Sequence, residues 1–183
     1  MSFTMVRGKV VGDRFEIFIE GDVSADKWYV WDLEMNLENF TVSVYPDEIF
    51  ERTPSDVYVH FIKKYTRNDT EVKVSYIFSK NKEEVFVEAT SRDGKLLCSY
   101  LRRYRPDSYE EAFHYYVTDH SFLLEYIRED EREKCRELLP KVLELYRSFI
   151  QKVIERSRDE GKQLPHIGKL SRILERMLDE LKR

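Results

Sequence analysis

Along the first 105 residues, apolar and polar side chains alternate in short runs, and after Pro106 the apolar repeat lengthens to three or four residues. In RFEIFIE, Phe15, Ile17 and Ile19 fall on one side and Arg14, Glu16 and Glu20 on the other, with Phe18 the exception. That is the period of a strand with one buried face. NFTVSVY groups Phe40, Val42 and Val44, DVYVHFIKKY groups Val57, Val59 and Phe61, and EVKVSYIF groups Val72, Val74, Tyr76 and Phe78. With FTMVRGKVV, KWYVWDL, EEVFVEA and KLLCSYLRR, the pattern predicts about eight strands over residues 1–106.

The separators VGDR, EGDVSAD, TRNDT, SKNK and SRDGK are short and rich in turn formers. Asp93-Gly94 between two apolar runs is the strongest hairpin signal among them. A parallel connection needs a crossover, so short loops point to an antiparallel meander. The longer stretch YPDEIFERTPSD leaves room at 46–55 for a short helix or a loop, with Pro46 suited to its start. The β region is then one interrupted meander or two four-strand units.

Residues 107–183 read as helical. DSYEEAFHYY predicts a helix capped by Asp107 or Ser108, and TDHSFLLEYI a second one starting at Thr118 or Asp119. From about Glu131 to Arg158, the residues Leu138, Leu139, Val142, Leu145, Tyr146, Phe149, Ile150 and Val153 form a broad apolar stripe. RDEGKQLPHIGK breaks that helix, and Leu170, Ile173, Leu174, Met177, Leu178 and Leu181 define a terminal amphipathic one. Both stripes need cover, from the sheet or from a second copy in a homodimer. The expected class is α+β: a mainly antiparallel sheet followed by C-terminal helices.

Composition adds limits. With 42% hydrophobic and 36% charged residues, the 183-residue chain can fold around a real core. Scarce Asn and Gln beside abundant Glu, Lys, Arg, Tyr and Ile fit a heat-adapted source. Cys98 and Cys135 cannot build a disulfide framework, and neither a leader-like start nor a membrane-length apolar run is present, so a reducing cytoplasm is the expectation. The net charge of −4 is uneven: residues 1–59 hold 5 Lys/Arg against 12 Asp/Glu, and residues 60–106 hold 11 against 6. Acidic and basic patches follow if the strands lie in order.

No glycine-rich phosphate loop, zinc-protease helix, nucleophile elbow or paired-cysteine pattern occurs, so no catalytic residue, metal site or cofactor is assigned. Glu111 and His114, three apart with Asp119 and His120 nearby, supply half of a helical di-metal ligand set and read better as helix-face or cap residues. Asp47, Glu48, Glu51 and His60 contain an acid-base pair only if something encloses them, and solvated loop ends is the simpler reading. His166 falls in the break between the last two helices. Cys98 alternates with Leu96 and Tyr100 as a core thiol.

The remaining chemistry is basic and aromatic. FIKKYTR carries Lys63, Lys64, Tyr65 and Arg67, and YLRRYR carries Tyr100, Arg102, Arg103, Tyr104 and Arg105. In extended chain, Tyr100, Arg102 and Tyr104 share a face and Leu101, Arg103 and Arg105 share the other. Lys63 and Tyr65 likewise oppose Lys64. A polar face of this kind can stack bases and attract phosphates of single-stranded DNA or RNA. It can equally hold an acidic protein or keep strand ends soluble. The short basic runs and negative net charge favour a non-catalytic protein-interaction or scaffold role. The alternatives are a single-stranded nucleic-acid module and an enzyme or small-ligand protein with a pocket between sheet and helices.

Overall fold

The computed structural model describes residues 3–21, 27–47, 54–115, 119, 121–161 and 167–183, with side chains for all of these except 3, 27–31 and 115. Nine strands precede the helices: β1 Phe3–Val11, β2 Arg14–Gly21, β3 Lys27–Leu37, β4 Phe40–Pro46, β5 Val57–Arg67, β6 Thr70–Ser79, β7 Lys82–Thr90, β8 Leu96–Arg105 and β9 Ser108–Tyr115. A 3-10 helix, Ser121–Tyr126, leads into α1, Glu129–Asp159, and α2 is Ile167–Leu181. The strands form one sheet in the order β2-β1-β3-β4-β5-β6-β7-β8-β9. The α+β class with a mostly antiparallel sheet and C-terminal helices is therefore the observed one. Among the described residues no helix is long and apolar enough to cross a membrane.

Two expectations are corrected. β1 pairs parallel with β3, Val6 opposite Val30, while β2 turns back antiparallel on the outer side of β1. β2 stands between β1 and β3 in the chain and so supplies the length that a parallel connection requires, and short loops did not enforce a pure meander. The second correction concerns Ser108–Tyr115, which is a ninth strand and not a helix capped by Asp107 or Ser108. Pro106-Asp107 forms the turn, and Tyr109, Glu111 and Phe113 lie opposite Tyr104, Arg102 and Tyr100 of β8. Cross-strand pairing to a finished neighbour outweighs the modest helix preference of EEA.

Elsewhere the period-two reading holds. β7 and β8 are an antiparallel hairpin turned at Asp93-Gly94, where Gly94 has φ 86° and its N–H donates to the Ser91 carbonyl at 2.9 Å. β5 and β6 are joined through Asn68 and Asp69, both at positive φ, the geometry of a primed hairpin turn. Of the 46–55 stretch, residues 48–53, including Glu48 and Glu51, lie outside the described residues, as do Thr118, His120 and His166. Asp119 accepts the Ser121 N–H at 2.8 Å and so caps the 3-10 helix.

The chain divides into two compact units. One comprises Met1–Leu37, Val42–Val59 and Leu138–Arg183. In it, α1 lies against β1: Leu139, Val142, Leu143, Tyr146, Phe149, Ile150 and Val153 are buried, while Leu138 and Leu145 are half-buried at the margin. Gly8 sits directly beneath Phe149, where an added Cβ would come within 2.3 Å of the ring. α2 buries Leu170, Leu174, Met177 and Leu178, and Arg147 of α1 bridges to Glu175 of α2 at 3.1 Å. Both apolar stripes are thus covered within a single chain, although Leu181 stays exposed.

The other unit is Glu38–Thr41 with His60–Glu137. Its centre is a set of edge-on rings, with Phe40 against Phe61 and Tyr76, and Phe61 against Phe78. Leu123 of the 3-10 helix and Cys135 of α1 close this core at 0% exposure.

Candidate interaction surface

All nine basic and aromatic residues singled out in the sequence fall in this second unit, and strand alternation divides them between two faces. Lys63, Tyr65, Arg67, Tyr100, Arg102 and Tyr104 share the face that meets the 3-10 helix and the start of α1, while Lys64, Arg103 and Arg105 point the other way.

On the helix side the cations are met by carboxylates. Lys63 Nζ donates to Glu131 Oε1 at 2.5 Å, Arg67 to Glu125 at 3.4 Å, and Arg102 Nη1 lies 3.6 Å from Glu129 Oε1. Glu129, Asp130 and Glu131 occupy the first turn of α1, where the helix dipole already favours negative charge. Glu131 is only 8% exposed and also accepts from Tyr76 OH at 3.3 Å. The Glu131 hydrogen bond raises the Lys63 pKa above its ordinary value, and burial raises that of Tyr76. Glu83 of β7 receives Arg132 and Arg136 of α1 at 3.1 and 2.9 Å. Burial opposes its charge, but these two guanidiniums hold its pKa below the usual carboxylate range.

The opposite face carries a chain of ion pairs, most of them between neighbouring strands. Lys73 meets Glu88 at 2.9 Å, and Glu84 takes both Lys82 at 3.0 Å and Arg103 at 2.8 Å. Arg103 reaches on to Glu110 of β9 at 3.2 Å. His60 belongs to this face, and burial first, then Lys73, push its pKa down to about 4 against the pull of Glu84.

The arrangement opens out at β9, the last strand in the sheet. Tyr104 and Tyr109 rings lie 5.3 Å apart, and Tyr100 and Phe113 lie 4.7 Å apart. Between these pairs Arg102 donates to Tyr100 OH at 2.9 Å and to Tyr104 OH at 3.4 Å, while the Arg132 guanidinium lies 4.0 Å from the Tyr104 ring centre. Tyr100 is 1% exposed, so its ring is core and offers no stacking surface. Tyr109 and Phe113 are 49% and 38% exposed. The sequence reading missed these two because it made the segment a helix; their period-two spacing with Glu111, just after Pro-Asp, was the available signal.

Glu111 and His114 lie three apart on a strand and so project to opposite faces, which removes the helical ligand pair. Among the described residues no group of three His, Cys, Asp or Glu is placed to hold a metal ion. Cys98 and Cys135 are both buried, and burial pushes the Cys135 thiol up to about 12. An open depression between the β5–β6 and β7–β8 turns is lined by Asp69, Thr70, Ser91 and Arg92. It is wide open to solvent, unlike an enclosed small-molecule pocket. Neither a protein-family model, nor a curated protein, nor a solved structure matches this chain.

Proposed function

We propose that this is a non-catalytic protein-interaction module that docks its partner at the β8–β9 edge of the sheet. The observation that carries the reading is the pair of large aromatics, Tyr109 and Phe113, displayed on the terminal strand and backed by Tyr104, Tyr100 and Arg102. Exposed aromatics beside arginine are the side chains that dominate protein interfaces. An edge strand also offers main-chain donors and acceptors to an incoming chain. The engagement of Lys63, Arg67 and Arg102 by carboxylates weighs against a phosphate-binding role, because a nucleic acid must first displace Glu131, Glu125 and Glu129.

Selection from a random peptide display library tests this. The parent protein is expected to enrich ligands that a folded Tyr109→Ser/Phe113→Ser variant no longer retains. No enrichment, together with saturable, salt-dependent binding of mixed-sequence single-stranded DNA or RNA, gives the surface to nucleic acid instead.

A further inference from the structure

Resting on that reading of the β8–β9 edge, we propose that the outer side of β9 accepts an extended partner segment of pattern aromatic-x-basic-basic-aromatic, added antiparallel as a further strand. The template is inside the molecule. Reading along β8, Tyr100, Leu101, Arg102, Arg103 and Tyr104 stand opposite Phe113, Ala112, Glu111, Glu110 and Tyr109 of β9. Aromatic thus stands opposite aromatic at both ends and arginine opposite glutamate at the two positions between, although Arg102 itself turns to Tyr100, Tyr104 and Glu129. The rings are in contact at 4.7 and 5.3 Å, and Arg103 binds Glu110 at 3.2 Å.

Side chains of a strand stand perpendicular to the sheet, so a neighbour on either edge sees the same row at the same spacing. β8 fills one edge of β9, and among the described residues β9 ends the strand order. On the outer side Tyr109, Phe113 and Glu110, whose side chain is 53% exposed, remain accessible. A second strand of the β8 pattern would repeat the ring contacts and the Arg103–Glu110 type of pair already present on the inner side, with its other basic residue opposite Glu111. The same pattern, Phe61-Ile62-Lys63-Lys64-Tyr65, forms β5, but β5 has a strand on either side and cannot serve as the ligand.

Charge selects against a second copy at this edge. Glu110 and Glu111 are the charged residues of β9, which has no Lys or Arg, and a β9–β9 pairing centred on them brings four carboxylates to neighbouring positions. β2, at the other end of the sheet, presents Glu16 and Glu20 against one Arg14. A basic segment of a different protein is the complementary occupant, with its aromatics seated on Tyr109 and Phe113.

The test uses the full chain and two end-capped, fluorescently labelled peptides containing Tyr-Leu-Arg-Arg-Tyr or Tyr-Leu-Glu-Glu-Tyr. Anisotropy should show saturable binding of the basic peptide, at least about tenfold tighter than the acidic one. Amide exchange across Ser108–Tyr115 should slow when it binds. A Glu110→Arg/Glu111→Arg variant should reverse the preference; if that variant does not fold, the two peptides on the parent still decide. Equal binding of both peptides, no binding of either at about 1 mM, or binding that leaves β9 exchange unchanged overturns the proposal. If display ligands dependent on Tyr109 and Phe113 exist while both designed peptides fail, the strand pattern falls and the interaction module stands. If display also yields nothing, both fall.

Discussion

Removing the Glu131 carboxylate should destabilise the unit built on β5 to β8 more than any other single charge change there. Glu131→Ala strips the 2.5 Å bond from Lys63 and the 3.3 Å bond from Tyr76, and it leaves an ammonium whose side chain is 26% exposed facing the core rings. Breaking a fully buried pair costs about 3–5 kcal/mol, and an exposed pair about 0–1. Lys63 can swing part of its charge toward water. The expected loss therefore falls between, at about 2–3 kcal/mol. Glu131→Gln keeps the volume and an acceptor, and should cost about 1–2 kcal/mol. Lys63→Met combined with Glu131→Ala should show a coupling of about 1–2 kcal/mol relative to the single changes. Urea unfolding followed by far-UV circular dichroism reads all three. The pH arm has a defined sign: because the Lys63 pKa is raised, its contribution is complete below the ordinary 10.5 and fades as pH climbs through the folded value. The parent should lose that increment in alkali, and Glu131→Ala should have none to lose. Additive single changes, or a Glu131→Ala loss under about 0.5 kcal/mol, would show that Lys63 and Glu131 do not act as a stabilising pair.

Gly8→Ala places a methyl in the Phe149 ring and should cost about 1–3 kcal/mol, with partial recovery when Phe149→Leu makes room; thermal melts of the single and double variants check it. His60 is neutral in the fold with a pKa pushed down to about 4, so its share of stability is full above 6.5 and drains away as pH falls from there toward 4. His60→Gln should flatten the stability curve across that window, whereas the shares of Glu83 and Glu84, whose pKa values lie below their ordinary 4.5, fade later in acid. Cys98 and Cys135 are fully buried with raised thiol pKa values, so Ellman's reagent at pH 8 should find no fast thiol in the native protein and two after denaturation.

Strand periodicity carried most of the architecture, because alternation such as Phe40, Val42 and Val44 is a local record of one buried face. Helix α2 and the long stripe of α1 were legible for the same reason at a different period. What could not be read depended on partners distant in the chain. Nothing local tells β3 to lie beside β1, and SYEEAFHY becomes a strand only because β8 offers it Tyr104, Arg102 and Tyr100 in register. The face shared by Lys63 and Tyr65, and that shared by Tyr100, Arg102 and Tyr104, followed from alternation. Their neutralisation did not, since Glu131 lies 68 positions from Lys63 and reaches it only when α1 folds back.

Two-dimensional amide spectra of the labelled protein, titrated in parallel with a display-selected peptide and with a mixed-sequence single-stranded oligonucleotide, test the docking claim most directly. The peptide is expected to shift resonances along β8 and β9, centred on Tyr109 to Phe113, and the oligonucleotide to leave them in place at physiological salt. Shifts produced by the oligonucleotide around Lys63, Arg67 and Arg102, or peptide shifts confined to α2, would contradict the docking claim.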